Sequence, residues 1–368
     1  MKPIAGHFRH SRVQAPLARL RNSAGAYWRS LFALFGRYRP FTAQEIDSVP
    51  GDFVSFGGDI PVRAGSDNRQ QRLFFRVKRP PFEEVRNLVV TPGGAGWKDG
   101  VLFEKYSSGK PGVRLLTGDH APKRTVPEGI FIQSEHIDTF GDWMSEYLAP
   151  LALAGAPDLP VFLPSALARR SYVKRDGPRL GINFVAIDQP IMIERALVAP
   201  QPKFVRYWTS DCVSALQRLL KVNAPTPAPG TLLYLSRHGE KSQVADRTHP
   251  SLLIEEIVRR RGGRVLRTCD ATLEDYLSAA GDAETLLFDH GSAAYNMVYW
   301  RPRRIIEFVS DDWWLNAFLF FADALGVDDY SILRTDLPEV ADRLDALLDN
   351  TPAAIQSAPR LTFPAGAV

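Results

Sequence analysis

The chain has 368 residues, 45% of them hydrophobic and 11% aromatic, enough to fill two ordinary cores and too apolar for a disordered polymer. A net charge of +4 gives no reason to expect nucleic acid as a partner, and two cysteines, Cys212 and Cys269, allow neither a disulfide framework nor a CxxC metal site. No run approaches the ~20 apolar residues of a transmembrane helix, and the start MKPIAGHFRHSR lacks the apolar stretch of a secretory signal, so a cytoplasmic location is expected.

In chain order, residues 1–40 form a basic extension, with Lys2, Arg9, Arg12, Arg19, Arg21, Arg29, Arg37 and Arg39 and no acid. Leu17, Trp28, Leu31 and Phe35 among them suggest a helix. It either packs on the body with a solvated basic face or lies on an anionic membrane, peripheral to its inner side. Residues 41–135 hold short β-like runs between Gly and Pro clusters, among them RNLVVTPGGAGW and GIFIQSE. At 139–152 the pattern turns helical: in TFGDWMSEYLAPLA, Trp143, Tyr147, Leu148 and Leu151 share a face. DLPVFLP reads as a buried strand, ARRSYVKRDGPRLG as a polar basic loop, INFVAID and IMIERALVAP as strands, and YWTSDCVSALQRLLK as an amphipathic helix. NAPTPAPG, at 223–230, is the sharpest break in composition and marks a domain junction. It separates a domain at 41–222 from one at 223–350, followed by a tail at 351–368.

Beyond the junction, strands and helices alternate, as they do around a parallel sheet. TLLYLS, RVLRT, TLLFD and RIIEFV are the strands. HPSLLIEEIVRRRGG is a helix with Pro250 in its first turn, acids before Arg259–Arg261 and a terminating glycine. Thr272 and Asp275 suit a capping box for LEDYLSAAG. SAAYNMVYW, WWLNAFLFFADALG and DLPEVADRLDALLDN are the remaining helices. Trp313 and Trp314 suit either a core or a stacking surface for a base or sugar.

Two strand-to-loop junctions carry groups suited to an anion. The first is Ser236-Arg237-His238-Gly239, with Lys241 and Arg247 behind it; the second is Asp289-His290-Gly291-Ser292. Arginine forks two donors onto phosphate oxygens. A helix starting near Ser292 would offer free N–H groups, and Gly291 lets a ligand approach the backbone. Together they make a site for a diphosphate. LYLSRHGE also matches the histidine phosphatase signature, in which the histidine is phosphorylated. Here, however, the motif comes late in the chain, and His238 and His290 lie too close in sequence for that fold's inserted helical subdomain.

The order of motifs resembles glycosyltransferase family 61. Its C-terminal pattern is strand-S-R, a second Arg, a helix with acids, a Gly-containing turn, a short strand, a helix, HGA…N and a strand ending in E. Here these are Ser236-Arg237, Arg247, Glu255-Glu256, Gly262-Gly263, RVLRT, LEDYLSAAG, His290-Gly291-Ser292 with Asn296, and RIIEFV with Glu307. Upstream, TFGDWMSEYLAPL resembles the family's N-x-x-H-W/F-x-x-E/D-x-L-x-P-L motif, with Asp142 in place of the His and Thr139 in place of the Asn. HGS replaces HGA, and Asp289 stands where a small residue or Pro is common.

The resemblance implies an α/β protein of GT-B type, two Rossmann-like domains facing a cleft. It further implies an inverting, metal-independent enzyme of the bacterial capsular or exopolysaccharide branch. Such an enzyme takes a nucleotide-sugar donor and a glycan or lipid-linked glycan acceptor, without a cofactor. Arg237, Arg247, His290, Gly291, Ser292, Asn296 and Glu307 would hold the donor; Glu307, at a strand end, suits either a ribose hydroxyl or merely a loop N–H. Asp142 is the expected base, with Glu146, four residues on along the same helix face, as the alternative or as an acceptor-orienting partner. Asp142 also suits a helix cap, and Glu146 a structural hydrogen-bond network. The departures at Asp142 and HGS leave room for a third reading, a transferase without turnover that serves as a binding or scaffold subunit.

Overall fold

The computed structural model describes the strands at 38–41, 48–50, 55–58, 75–77 and 101–105, residue 208, and residues 82–98, 121–132, 139–155, 158–198, 210–240, 250–309 and 317–349, apart from 95, 224, 270 and 338. The helix expected in the basic extension, Lys241, Arg247, Trp313, Trp314 and the tail lie outside the described residues. The chain divides into two compact units, one within 1–49 and 76–222 and one within 50–75 and 223–368. Both are α/β. No helix among the described residues is long and apolar enough to cross a membrane.

The first unit is built on an eight-stranded mixed sheet. Its order is Tyr38–Phe41, Val101–Lys105, Gly96–Lys98, Glu83–Val90, Ile191–Val198, Arg124–Phe131, Val161–Pro164, Phe184–Ile187. Glu83–Val90, Gly96–Lys98 and Val101–Lys105 are separated by five and two residues, too few for a parallel crossover, and pair antiparallel. Ile191–Val198 is the hinge of the two pairing modes, antiparallel to Glu83–Val90 and parallel to Arg124–Phe131. Leu88, Val90, Phe131, Phe162, Ile193 and Ala196 build the core on it.

One expectation is corrected here. The stretch read as a basic loop, Ala168–Gly181, is helical over Ser171–Leu180, after a short helix Ser165–Ala168. Gly177 and Pro178 made it look broken, but both sit in the last turn. An added Cβ at Gly177 would lie 3.1 Å from the Phe184 ring, so glycine serves packing there. Gly181, at φ +70°, then ends the helix in the left-handed conformation that glycine adopts without strain.

The second unit is a six-stranded sheet in the order Arg264–Arg267, Ala228–Ser236, Ala283–Asp289, Arg304–Val309, Asp329–Arg334, Ser55–Gly58. Every neighbouring pair is parallel. Past residue 223 the chain enters the sheet on Ala228–Ser236, steps outward to Arg264–Arg267, then crosses back to Ala283–Asp289 and continues the other way. With right-handed crossovers, that reversal sends helices to opposite faces. Accordingly Ser251–Arg260 packs with Val340–Asp349, while Leu273–Ala280 and Ala317–Leu325 pack with the 3₁₀ helix Ser292–Tyr299. The strands are therefore buried on both sides. Tyr234, Leu287, Ile306, Phe308 and Leu333 meet Ile254, Ile257, Val340 and Leu344 on one side.

Asp329–Arg334 was not anticipated as a strand. Ser55–Gly58 falls in GDFVSFGGDIPV, a run that reads as β-like, but its place in this sheet, from far upstream in the chain, was not anticipated.

Candidate functional site

The strand order reverses between Ala228–Ser236 and Ala283–Asp289. Open α/β sheets bind ligands at such a switch point. The two junctions singled out above leave these two strands.

Strand alternation assigns the neighbours Asp289 and His290 to opposite faces. Asp289, 1% exposed, turns toward the face of Tyr234 and Phe308. Its Oδ1 accepts from the Tyr234 hydroxyl at 2.7 Å. Its Oδ2 accepts from the Arg237 amide at 2.9 Å and the Ser251 hydroxyl at 2.8 Å. Burial, and next the Asp289 carboxylate, push the Tyr234 phenol far above its usual value, so it stays a donor. The acid that stood out as a departure from the family pattern is thus directed into the fold.

His290 turns to the other face, its ring 5.0 Å from that of Phe318. Its Nδ1 lies 2.5 Å from Glu307 Oε1, and Glu307 Oε2 accepts from the Tyr330 hydroxyl at 2.8 Å. Both Glu307 oxygens thus have protein partners, and the side chain is buried. This geometry suits orienting the imidazole, where the sequence left a ribose hydroxyl or a loop N–H open.

Arg237 bridges the junctions. Its NH1 donates to the His290 carbonyl at 2.9 Å and its Nε to Glu240 Oε2 at 2.6 Å. Glu240 Oε1 accepts in turn from the Thr268 hydroxyl. A Cβ at Gly291 would stand 3.0 Å from Arg237 NH1, so this glycine admits the guanidinium. Ser292 opens the 3₁₀ helix, whose first turn closes with the Ala294 amide donating to Gly291 O. Asn296 is buried and donates to Ala293 O at 3.1 Å, a bond within its own helix.

Behind the first junction, the Ser236 hydroxyl donates to Glu255 at 2.8 Å. Glu255 is buried and takes a two-pronged contact from Arg267, at 3.0 and 2.8 Å, and another from Arg259 at 2.8 Å. The Arg267 bonds, helped by Ser236 and Arg259, hold the Glu255 carboxyl down at about 2 against the opposing effect of burial. A depressed folded pKa stabilises above the unfolded value and loses that contribution on acidification. Unfolding titrations should therefore show a loss of up to about 3 kcal/mol between pH ~4.5 and ~2. The acid limb should flatten in Glu255→Gln; an unchanged limb would assign acid sensitivity to other carboxylates.

His238 contributes main-chain groups: its amide donates to Ser236 Oγ, and its carbonyl accepts from Cys269 Sγ. Gly239 has φ +86°, within a turn closed by the Glu240 amide on Arg237 O. A type II turn requires glycine there. The RHG string thus has a backbone reason independent of phosphoryl chemistry.

In the first unit, Asp142 and Glu146 lie on one continuous helical stretch: Phe140–Asp142, a π-helical Trp143–Leu148, and Ala149–Leu153. Pro150 explains the widened turn. It has no N–H for the Glu146 carbonyl, and its ring crowds that group in an α-helix. Asp142 completes a capping box: its Oδ2 accepts from the Thr139 hydroxyl at 2.7 Å and amide at 3.3 Å, and its own amide donates to Thr139 Oγ1 at 3.1 Å. Glu146 is 1% exposed on the π turn. The neighbouring Trp143 indole bonds a different acid, Asp176, at 2.8 Å, and Arg175 pairs with that acid at 2.7 Å.

Tyr234, Glu240, Ser251, Tyr330 and Asp176 were not singled out from the sequence. Strand alternation was the one signal available, for Asp289 against His290. Among the described residues, no three His, Cys, Asp or Glu side chains converge to hold a metal ion.

Residues 140–306 match the family model Glycosyltransferase 61, a span that includes Asp142, Glu146, both junctions and Asn296. No curated protein matches the chain.

Proposed function

We propose, from the match of residues 140–306 to the glycosyltransferase 61 family model, that the chain is an inverting transferase taking its sugar from a nucleotide-sugar donor. One observation carries the donor half of this reading. Arg237 and the His290–Ser292 turn meet at the switch point of a parallel sheet, where Arg237 NH1 bonds His290 O. As the glycosidic bond breaks, negative charge builds on the leaving diphosphate. Arginine and helix-start amides can take up that charge without a metal. Arg247 would join them.

Inversion needs a base that removes the acceptor hydroxyl proton opposite the leaving group. Asp142 completes the capping box of Thr139 and Glu146 lies buried on the π turn, so we assign the base to Glu146 and the capping-box role to Asp142. The two units would be the acceptor and donor halves of a GT-B enzyme, with residues 76–222 on the acceptor side and the strand Ser55–Gly58 on the donor side. A glycan, free or lipid-linked, is the acceptor, and cell-surface polysaccharide the product. The enzyme would work in the cytoplasm, with the arginines of residues 1–40 resting on anionic lipid.

Calorimetric titration with UDP, GDP, ADP and CDP, followed by donor turnover assays on whichever binds, tests the reading. Binding of one diphosphate below about 100 μM, with sugar transfer from the matching donor, is the expected result. Phosphate release that depends on His238, with no nucleotide bound, would replace it with a phosphohydrolase. Tight binding with no turnover of any donor would leave a binding subunit.

A further inference from the structure

We infer that Asp289 is a positioning residue that spaces the two phosphate-binding junctions, and that selectivity for a diphosphate over a monophosphate depends on it. The inference rests on the donor reading above and adds a residue outside the family pattern.

One carboxylate oxygen holds both ends of the connection that follows the first strand of the sheet. Asp289 Oδ2 accepts from the Arg237 amide at its start, at 2.9 Å, and from the Ser251 hydroxyl at its end, at 2.8 Å. The other oxygen is anchored to Tyr234 at 2.7 Å. The lock is reciprocal. Asp289, in the second junction, fixes the backbone of Arg237 in the first, and the Arg237 guanidinium fixes the carbonyl of His290, the residue after Asp289. Two junctions on adjacent strands are thereby held to each other from both directions.

The energetics argue that this arrangement serves more than filling space. A buried carboxylate is expensive, and among the described residues no cationic side chain pairs with Asp289. Three hydrogen bonds to the charge offset that cost, and each comes from a different element: strand, junction and helix start. An apolar side chain could fill the position at less cost but could not fix those three elements together.

A monophosphate can be held by either junction alone. A diphosphate spans two phosphates and needs both junctions at a set distance. Ordering that distance before the ligand arrives lowers the entropy lost on binding, and the gain goes to the diphosphate only.

The test uses the full chain and the nucleoside diphosphate among UDP, GDP, ADP and CDP that binds it most tightly, measured against the corresponding monophosphate. Ser251→Ala frees one end of the connection while Asp289 keeps its other bonds. Asp289→Asn keeps the shape but offers one acceptor oxygen where three donors converge. Leu344→Ala, a cavity in the core of the same unit, reports the effect of lost stability alone. The diphosphate-to-monophosphate affinity ratio should fall about tenfold in Asp289→Asn and about fivefold in Ser251→Ala, chiefly through the diphosphate. Leu344→Ala should lower the melting temperature and leave the ratio within about twofold. Unchanged ratios in Ser251→Ala and Asp289→Asn, or equal falls in all three variants, overturn the inference while the donor reading stands. A wild-type protein that binds none of the four diphosphates overturns both.

Discussion

Glu146→Gln should lower kcat by about 10²- to 10⁴-fold, the range a positioned general base contributes, and leave nucleoside-diphosphate affinity unchanged. The substitution keeps the side chain's shape and removes its basicity. Glu146 is the better choice because it lies buried on the π turn, while Asp142 and Asp176 are bonded to Thr139 and to Trp143 and Arg175. Glu146 lies on the π turn that Pro150 imposes, and such widened turns recur at functional sites. Asp142→Asn should behave differently. Loss of the cap costs about 1 kcal/mol of stability, and kcat should fall by less than about tenfold. The measurement is steady-state kinetics beside thermal unfolding for both variants. If Asp142→Asn kills turnover at normal stability while Glu146→Gln stays active, the assignments exchange. If neither matters in a protein that binds donor, the base lies elsewhere.

The second unit was legible because its signals are local. The helix Ser251–Arg260 lies within the stretch marked by Pro250 and the paired glycines, and Thr272–Asp275 forms the capping box its spacing suggests. The two junctions stand at adjacent strand ends, as a parallel sheet requires. What could not be read is non-local. Asp289 looked like an acid out of place beside a diphosphate. Only the pairing of its strand with Ala228–Ser236 brings Tyr234 and the Arg237 amide to it. Glu307 offered no local sign of its partners, because Tyr330 comes from the neighbouring strand and His290 from the end of another. Asp329–Arg334 carries the weak signal of a short, fully buried strand, which periodicity alone does not separate from a helix end. In the first unit, Gly177 and Pro178 suggested a loop because helix breakers were weighed without their position in the last turn.

Arg237→Ala should weaken diphosphate binding several hundred-fold, about 3–4 kcal/mol, with a lower but still cooperative melting transition, because its bonds to His290 O and Glu240 are lost too. Two losses combine. The fork that would hold phosphate oxygens disappears, and Glu240, now bonded at 2.6 Å to Arg237 Nε, is left as an uncompensated acid beside the anion. The two contributions can be separated. Glu240→Gln in the Arg237→Ala background should recover about tenfold by removing the repulsion, whereas Arg237→Lys should recover less, because an ammonium cannot bond Glu240, His290 O and phosphate in one plane. In the wild-type background, Glu240→Gln should tighten diphosphate binding, since the Thr268 hydroxyl still holds the amide while the competing charge is gone. The salt dependence gives an independent check. Binding that rests on Arg237 should weaken with ionic strength in the wild type and less steeply in Arg237→Ala. Arg237→Ala with undiminished affinity and an unchanged salt slope would move the diphosphate away from this edge of the sheet, however well the two junctions are joined there.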